Sequence, residues 1–303
     1  MLPLETDSQG MTESNGHHAN RQRAALHAQG RRRTPWPLAV VAALFVIVPF
    51  LAWYGTWFGR SLNDTEIENY LTDEANPRHE QHALSQIVER MKRGDASVRR
   101  WYPQVVALAS SQHADVRMTA AWVMGGDTKS EEFHTGLLRL LADNEPIVRR
   151  NAALALVSFN DARSRAELTA MLRPYTFNAP IAGQLVSVLP VGTPVKREAM
   201  LARIKLASDQ LVEIRSPLPG RIEQLAAAPD ARITQGQPLL TLAPDADSAL
   251  DALVGLRFVG AQEDLPEVER YASGVAGMPE EIKKEAALTA ETIKRRAEQN
   301  RTN

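Results

Sequence analysis

His79 and His82 stand three residues apart, a spacing that puts both imidazoles on one face of a helix, where they could ligate a metal ion. Glu80 lies between them, and His113 or His134 could be brought up by the fold as a third ligand. No third ligand is adjacent in sequence, however, and capping together with a solvated face accounts for the pair without a metal. A second pair, His17 and His18, lies in a stretch too poor in apolar side chains to order itself. The 303 residues contain no cysteine, which excludes disulfides, thiolate metal sites and thiol catalysis. No Gly-rich phosphate loop, zinc motif, nucleophile elbow or paired-carboxylate signature is present. The expectation is a protein without catalytic residues, bound cofactor or metal, with His79 and His82 as the weak exception.

The charged clusters read as helix electrostatics. Asp143-Asn-Glu145 precedes Arg149 and Arg150, and Glu280 and Glu281 precede Lys283 and Lys284, which puts acids at helix starts and bases one turn later. Lys294-Arg-Arg296, with Arg301 beyond, suits the end of a last helix better than a contact with anionic lipid. The formal net charge of -1 gives no bulk attraction to nucleic acid, and none is expected as a partner.

The elements that must carry these residues begin with a membrane segment. Residues 1–34 read as a disordered tail, and Thr34 to Gly59 holds no charged residue. Leu38 to Phe58 is almost wholly apolar, long enough at about 1.5 Å per residue to cross roughly 30 Å of hydrocarbon. Trp36 at one end and Trp53, Tyr54 and Trp57 at the other suit the two interfacial belts. Arg21, Arg23, Arg31, Arg32 and Arg33 precede the run and acids follow it, so the amino terminus is expected in the cytoplasm and everything past residue 60 outside it. The run exceeds a signal-peptide h-region and no Ala-x-Ala site follows, so the anchor is expected to be uncleaved.

From residue 79 to Pro174 apolar residues recur three and four apart between short polar breaks, giving helices at about 79–92, 97–110, 114–125, 131–142, 146–159 and 162–173. Asp115-Val-Arg-Met-Thr-Ala-Ala121 returns as Ile147-Val-Arg-Arg-Asn-Ala-Ala153, with Val116 matched by Val148. The same pattern appears a third time, far down the chain, as Glu281-Ile-Lys-Lys-Glu-Ala-Ala-Leu288. On these residues the segment resembles the HEAT repeats, a resemblance that implies helical hairpins stacked into a solenoid through small alanines and an apolar-Arg pair. Trp101, Tyr102, Trp122 and Met124 are expected in its core, with a partner-binding groove as the alternative.

A second internal repeat has a different period. Asn178-Ala-Pro-Ile-Ala-Gly183 returns as Arg215-Ser-Pro-Leu-Pro-Gly220, with Pro180 matched by Pro217 and Gly183 by Gly220. Each copy opens short β-branched runs with turn residues at matched offsets, which implies a small β sandwich of two similar halves. Taking this module, residues 175–244, out of the distance between the second and third copies of the helical pattern leaves two helical repeat periods. The solenoid is therefore expected to pause at Pro174 and resume near Asp245 in phase. The intervening unit is expected from Ser248 to Val259 with Leu265 to Ala272.

Ser216-Pro-Leu-Pro-Gly220 followed by Gly236-Gln-Pro-Leu239 resembles the biotinyl and lipoyl carrier domains and the barrel-sandwich of membrane fusion proteins, the periplasmic adaptors of secretion and efflux systems. The resemblance implies a modified lysine at a hairpin tip eight residues before the second proline, and that position holds Asp209, which cannot form the amide that carries biotin or lipoate. Lys205 stands four residues too early, within an expected strand. The first half has Glu198 where a turn favours glycine, and the second has Asp230, a residue that tolerates positive φ.

The expected fold class is therefore α+β multidomain: a disordered cytoplasmic tail over 1–34, one transmembrane helix over 35–59, a linker over 60–78, HEAT-like repeats over 79–174, a biotinyl/lipoyl-like barrel-sandwich over 175–244 and resumed helices over 245–303. The expected function is a non-enzymatic scaffold of the bacterial inner membrane with its carboxy-terminal domains in the periplasm. Its partners would be inner-membrane or periplasmic proteins and, through residues 35–59, the bilayer. An adaptor of an envelope transporter is the first reading; an assembly factor for a membrane complex is the alternative, with a biotin or lipoate carrier or a metal enzyme behind it.

Overall fold

The computed structural model describes residues 60–302. The tail and the membrane helix expected over 1–34 and 35–59 lie outside them, and among the described residues no helix is long and apolar enough to cross a membrane. Ser61–Asn303 form one unit.

The stretch expected as a linker is helical. Helix α1, Asp64–Leu71, starts with a capping box in which the Asn63 side chain accepts from the Glu66 amide and the Glu66 carboxylate accepts from the Asn63 amide, both at 2.9 Å. Ile67 and Leu71, one turn apart, are buried against α2, Pro77–Lys92. The acids that suggested a solvated linker are first-turn residues that favour the helix dipole, and Asp64 also holds Arg90 and Arg100.

Further helices follow as α3, Tyr102–Leu108, entered by a 3-10 turn at Ala96–Trp101; α4, Ala114–Met124; α5, Glu131–Leu140; α6, Pro146–Ser158; and α7, Arg165–Met171. After the β module come α8, Ala246–Val259; α9, Leu265–Ala272; and α10, Glu280–Thr302. Among the described residues they pair as the hairpins α1/α2, α3/α4, α5/α6, α7/α8 and α9/α10, and the second helices pack in an unbroken row from α2 through α4, α6 and α8 to α10. Small residues permit that row: Ala120, Ala121, Ala152, Ala153, Ala249, Ala252 and Ala286 are buried where the axes approach.

The module does not fall between two repeats. It splits the hairpin α7/α8, whose Leu168 and Leu172 share one core with Ala249, Leu253 and Leu256. Helix α8 thus pairs backwards with α7 across the whole β module, rather than forward with α9 as the sequence offset suggested.

The strands of the module are β1, Tyr175–Asn178; β2, Gly183–Val188; β3, Pro194–Val195; β4, Met200–Lys205; β5, Leu211–Arg215; β6, Gly220–Leu225; β7, Arg232–Ile233; and β8, Pro238–Ala243. They form two four-stranded antiparallel sheets, ordered β1-β8-β6-β3 and β5-β4-β2-β7. Exchanging each strand of β1–β4 with its counterpart in β5–β8 turns one order into the other. Each sheet therefore takes strands from both halves, and neither half closes a core alone. The correspondence reaches the irregularities: β2 and β6 are bulged after the matched residues Leu185 and Ile222, and β4 and β8 step over the matched residues Leu201 and Leu239.

The turns obey the same symmetry. Gly192 and its counterpart Asp230 have φ of 87° and 64°, and Glu198 and Gly236 have 64° and 82°. A Cβ on Gly183 would lie 2.5 Å from the Lys205 carbonyl oxygen, and one on Gly220 2.5 Å from that of Ala243, so close backbone approach demands glycine at both.

Two outcomes follow. Tyr175 pairs in register with Leu242, so the module leaves the solenoid almost where it enters; deleting residues 175–244 and joining the ends with a short turn should leave a folded protein with helical circular dichroism, and aggregation would show that the module shares the helical core. At Glu198 a non-glycine residue sits in the left-handed region at a cost of about 1–2 kcal/mol. After glycine's own entropy, Glu198→Gly should stabilise by roughly 0.5–1 kcal/mol, seen as a raised thermal midpoint.

Candidate functional site

The histidine pair is occupied by its neighbours. Helix α2 carries both residues against α1, where His79 stacks on Tyr70 at 4.1 Å between ring centres and 8° between planes, and its Nδ1 lies 2.7 Å from Asp73 Oδ2. His82 leans on the same tyrosine at 6.1 Å. His134 does not approach them: its Nε2 lies 2.6 Å from Asp161 Oδ2 and its ring stacks on Phe159. Hydrogen bonds from Arg163, then its amide and His134, hold the Asp161 carboxyl well below the usual carboxylate range. Among the described residues no three His, Asp or Glu side chains converge as a metal site.

The charged clusters turn out to join one repeat to the next. Arg117 of α4 donates from Nη1 to the carbonyls of Ser111 and Gln112 at its own helix entrance, and from Nε and Nη2 to both oxygens of Asp143 in the following repeat, at 2.7 and 2.8 Å. One repeat on, Arg149 of α6 donates from Nη1 to the carbonyls of Asp143 and Asn144 and from Nε to Glu167 of α7. The second residue of the apolar-Arg pair is thus a strut that ties down a loop and reaches forward one repeat. The Asp143 carboxylate takes Arg117, not the Arg149 that follows it in sequence, because the stacking of hairpins brings the earlier helix closer. Burial would raise the Asp143 carboxyl, but the Arg117 hydrogen bonds, the Glu145 amide and the Arg117 charge outweigh it and the pKa is lowered. Arg150, read as a companion of Arg149, is buried, and burial lowers its pKa.

The terminal basic cluster is similarly engaged. Lys294 pairs with Glu269 of α9 at 2.6 Å, Arg295 with Glu291, and Arg296 donates to the carbonyls of Arg257 and Gly260 at the end of α8. Arg296 thus complements the dipole of the preceding second helix rather than of its own.

The hairpin tip between β4 and β5 is compact and bare of reactive groups. Leu206 donates its amide to the Gln210 carbonyl, and Asp209, at φ 63°, donates its amide to the Leu206 carbonyl. Lys205 ends β4 with its Nζ 2.7 Å from Asp209 Oδ1, so the lysine nearest the carrier position is paired with the acid that replaces it. That pair lowers the Asp209 pKa. At the turn between β3 and β4, Arg197 forms an ion pair with Asp115, an acid in the first turn of α4.

The aromatics divide. Trp101, Tyr102 and Met124 are core, with Tyr102 against Phe133 and its hydroxyl donating to Asp127 at 2.9 Å. Trp122 is 48 % exposed beneath Lys92. Repeat spacing puts Leu154 of α6 and Leu288 of α10 at the same position as Trp122 of α4; Leu154 is half-buried and Leu288 is 44 % exposed. Leu250 and Phe258 of the intervening α8 are exposed as well. At the shared position the side chain is open to solvent on α4 and α10, whereas Leu154 of α6 packs partly against the core, so Trp122 departs from the core placement expected of it.

The family of HEAT repeats matches residues 102–175, the hairpins α3/α4 and α5/α6 with α7. Those residues are thus similar to a class of stacked hairpin that generally serves protein interaction. No match is found among curated proteins. Among solved structures, a single-chain, multi-domain long-chain acyl-CoA carboxylase matches at 19 % identity and a TM-score of 0.23, over 33 % of this chain and 11 % of that one. The match spans only that small part of the carboxylase, and a likeness so shallow carries no structural or functional meaning.

The Arg117–Asp143 strut is testable. The two side chains are 15 % and 9 % exposed, so Arg117→Met, which strands a buried carboxylate, should cost about 3 kcal/mol at pH 7 in urea denaturation. A carboxyl whose folded pKa is depressed contributes stability above its unfolded value near 4, and loses it as pH falls through the folded value. The gap between wild type and variant should therefore shrink below about pH 4; a gap independent of pH would assign the loss to packing.

Proposed function

We propose that this chain is a non-enzymatic protein-interaction scaffold, anchored in the bacterial inner membrane by residues 35–59 with its helical repeats and β module in the periplasm, and that it serves as an adaptor subunit of an envelope transport system. The observation that carries the scaffold reading is the apolar position repeated along the second helices at Trp122, Leu154 and Leu288 and left open to solvent at Trp122 and Leu288, on elements of a kind that generally bind proteins. The anchor and its orientation rest on the uncharged run from Thr34 to Gly59 and the arginines before it. Two interlocked sheets of two similar halves support a barrel-sandwich of the adaptor type, and Asp209 at the tip, paired with Lys205, argues against a covalent carrier.

Photo-crosslinkers placed singly at Trp122 and Leu288 in membranes should capture one stable inner-membrane or periplasmic protein, and Leu288→Glu should weaken capture from position 122, as Trp122→Glu should from position 288, without changing the helical circular dichroism. Capture of abundant bystanders alone, from both positions, would end the adaptor reading. Intact mass should equal that of the unmodified chain; an added biotin or lipoate on Lys205 would convert the module to a carrier.

A further inference from the structure

Strand β5 is an edge of the β5-β4-β2-β7 sheet. Among the described residues no second strand pairs with its outer side and no helix packs along it. Its counterpart in the other half, β1, starts beside the helices instead, where the charges of Arg149, Glu145 and Arg150 act on Tyr175. An edge left open to solvent is a template for another strand unless something blunts it. Two common protections are missing from β5: it contains no proline, and the irregularity in its pairing falls on β4. Val212 and Ile214 turn to the core, and Leu211 is 56 % exposed. Charge is present on the outer face as Glu213 and Arg215, and its pattern is self-complementary.

The flanking hydrogen bonds fix which backbone groups face outward. The Gln210 carbonyl accepts from Leu206 and the Ser216 amide donates to Ala199, so both residues bond on the β4 side. With a period of two, Val212 and Ile214 bond to β4 as well, and Leu211, Glu213 and Arg215 point their amides and carbonyls away from it. A second β5 running antiparallel must put outward residues opposite outward residues. Keeping most of the strand paired, that leaves a twofold axis at Val212, at Glu213 or at Ile214. An axis at Glu213 sets that carboxylate against itself, and one at Val212 sets it against Leu211. An axis at Ile214 sets each Glu213 opposite the other copy's Arg215, on both sides of the axis. It also sets the exposed Leu211 opposite Pro217, which has no amide to leave unpaired. Within one chain Glu213 already holds Arg215 at 2.7 Å and Arg203 at 3.5 Å, so the incoming arginine extends an existing cluster.

We infer that β5 is the contact of a homodimer, in which two copies of this chain join their open edges antiparallel about a twofold axis at Ile214 and merge two sheets into one. Backbone hydrogen bonds at the Glu213 and Arg215 pairs hold the strands, and the reciprocal ion pairs select the register. So short a ladder covers far less area than an obligate dimer, so the association is reversible and depends on concentration. The contact lies on the β module and does not rest on a partner at the apolar positions of the second helices.

The chain has no cysteine, so introduced cysteines report the register without background. In the full-length protein in mild detergent, Glu213→Cys mixed with Arg215→Cys should give a disulfide-linked dimer on gentle oxidation, because opposite residues lie about 5.5 Å apart between Cα atoms. Either variant alone should not, because diagonal neighbours lie about 7–8 Å apart. Glu213→Arg and Arg215→Glu each put like charges opposite one another at both pairs, and each should weaken dimerisation on the order of tenfold in sedimentation. Their equimolar mixture puts opposite charges face to face at both pairs and should restore it, which a merely structural role of either residue would not produce. A chain that stays monomeric up to about 0.1 mM, where a micromolar association is nearly complete, would overturn the contact. So would a disulfide formed readily by Glu213→Cys alone, no recovery in a mixture of variants whose circular dichroism matches wild type, or crosslinking of β5 to a different polypeptide instead of a second copy.

Discussion

Everything in this architecture depends on the antiparallel pairing of the first and last strands of the β module. Tyr175 opposite Leu242 brings the two ends of the insertion to within one strand spacing, a few ångströms, so the hairpin it interrupts can still close. The helices then make the junction permanent. The Leu172 carbonyl at the end of α7, left without an intrahelical partner, accepts from the Tyr271 hydroxyl at 3.0 Å and from Arg270, both on α9, while Asp245 caps the start of α8 through the Ser248 amide. Arg165 and Thr169 of α7 meet at Asp264 just before α9, so α7 is bound to the following repeat on both sides of the insertion. An insertion whose ends were far apart would have to displace α8 from the row of second helices, and the core shared by Leu168 and Leu253 would open.

Within the module, the same dependence on geometry shows in the exchange of strands between halves. Neither half of four short strands buries enough apolar surface to be stable alone, but interlocked they place Leu185 and Ile222, Val195 and Ile233, and Ile204 and Leu242 in one core. The symmetry is enforced by backbone, not by side-chain identity. Gly183 and Gly220 are held by carbonyls that leave no room for a Cβ, whereas the four left-handed turn positions are filled by glycine in one half and by Asp230 or Glu198 in the other. A steric clash forbids substitution outright, and a left-handed turn only penalises it, which is why one pair of positions shares its residue type and the others do not.

Charge in the helical part is mainly architectural. Arg117 and Arg149 tie down the loop carbonyls before their own helices, Arg296 holds the carbonyls that end α8, and each reaches into a neighbouring repeat, so the register between hairpins is set by hydrogen bonds as well as by apolar packing. Glu80 departs from this pattern: an acid inside the helical stack with an oxygen that nothing in the chain satisfies. Close to it along α2, His79 is engaged with Asp73 in a contact that the histidine spacing did not signal.

The sequence by itself determined whatever is local or periodic. The helices from residue 77 to 171 fall within a few residues of the apolar periodicity, because burying one face of each is what drives them, and the duplicated strands are legible because turns and glycines recur at matched offsets. It also determined that no thiol chemistry is available and that the tip of the module carries Asp209 instead of lysine. What it could not carry is which separated groups meet. Acids at residues 64–74 looked solvated, yet a capping box and the buried Ile67 and Leu71 fold that stretch into the first hairpin. Offset arithmetic located the pause in the solenoid but not that it splits a hairpin, since α7 and α8 are matched by packing, not by spacing. The Asp143 strut, the Arg197 tie to Asp115, the exposure of Trp122 and the orphaned oxygen of Glu80 were all decided by tertiary structure, because burial and pairing depend on neighbours that lie a repeat or a domain away along the chain.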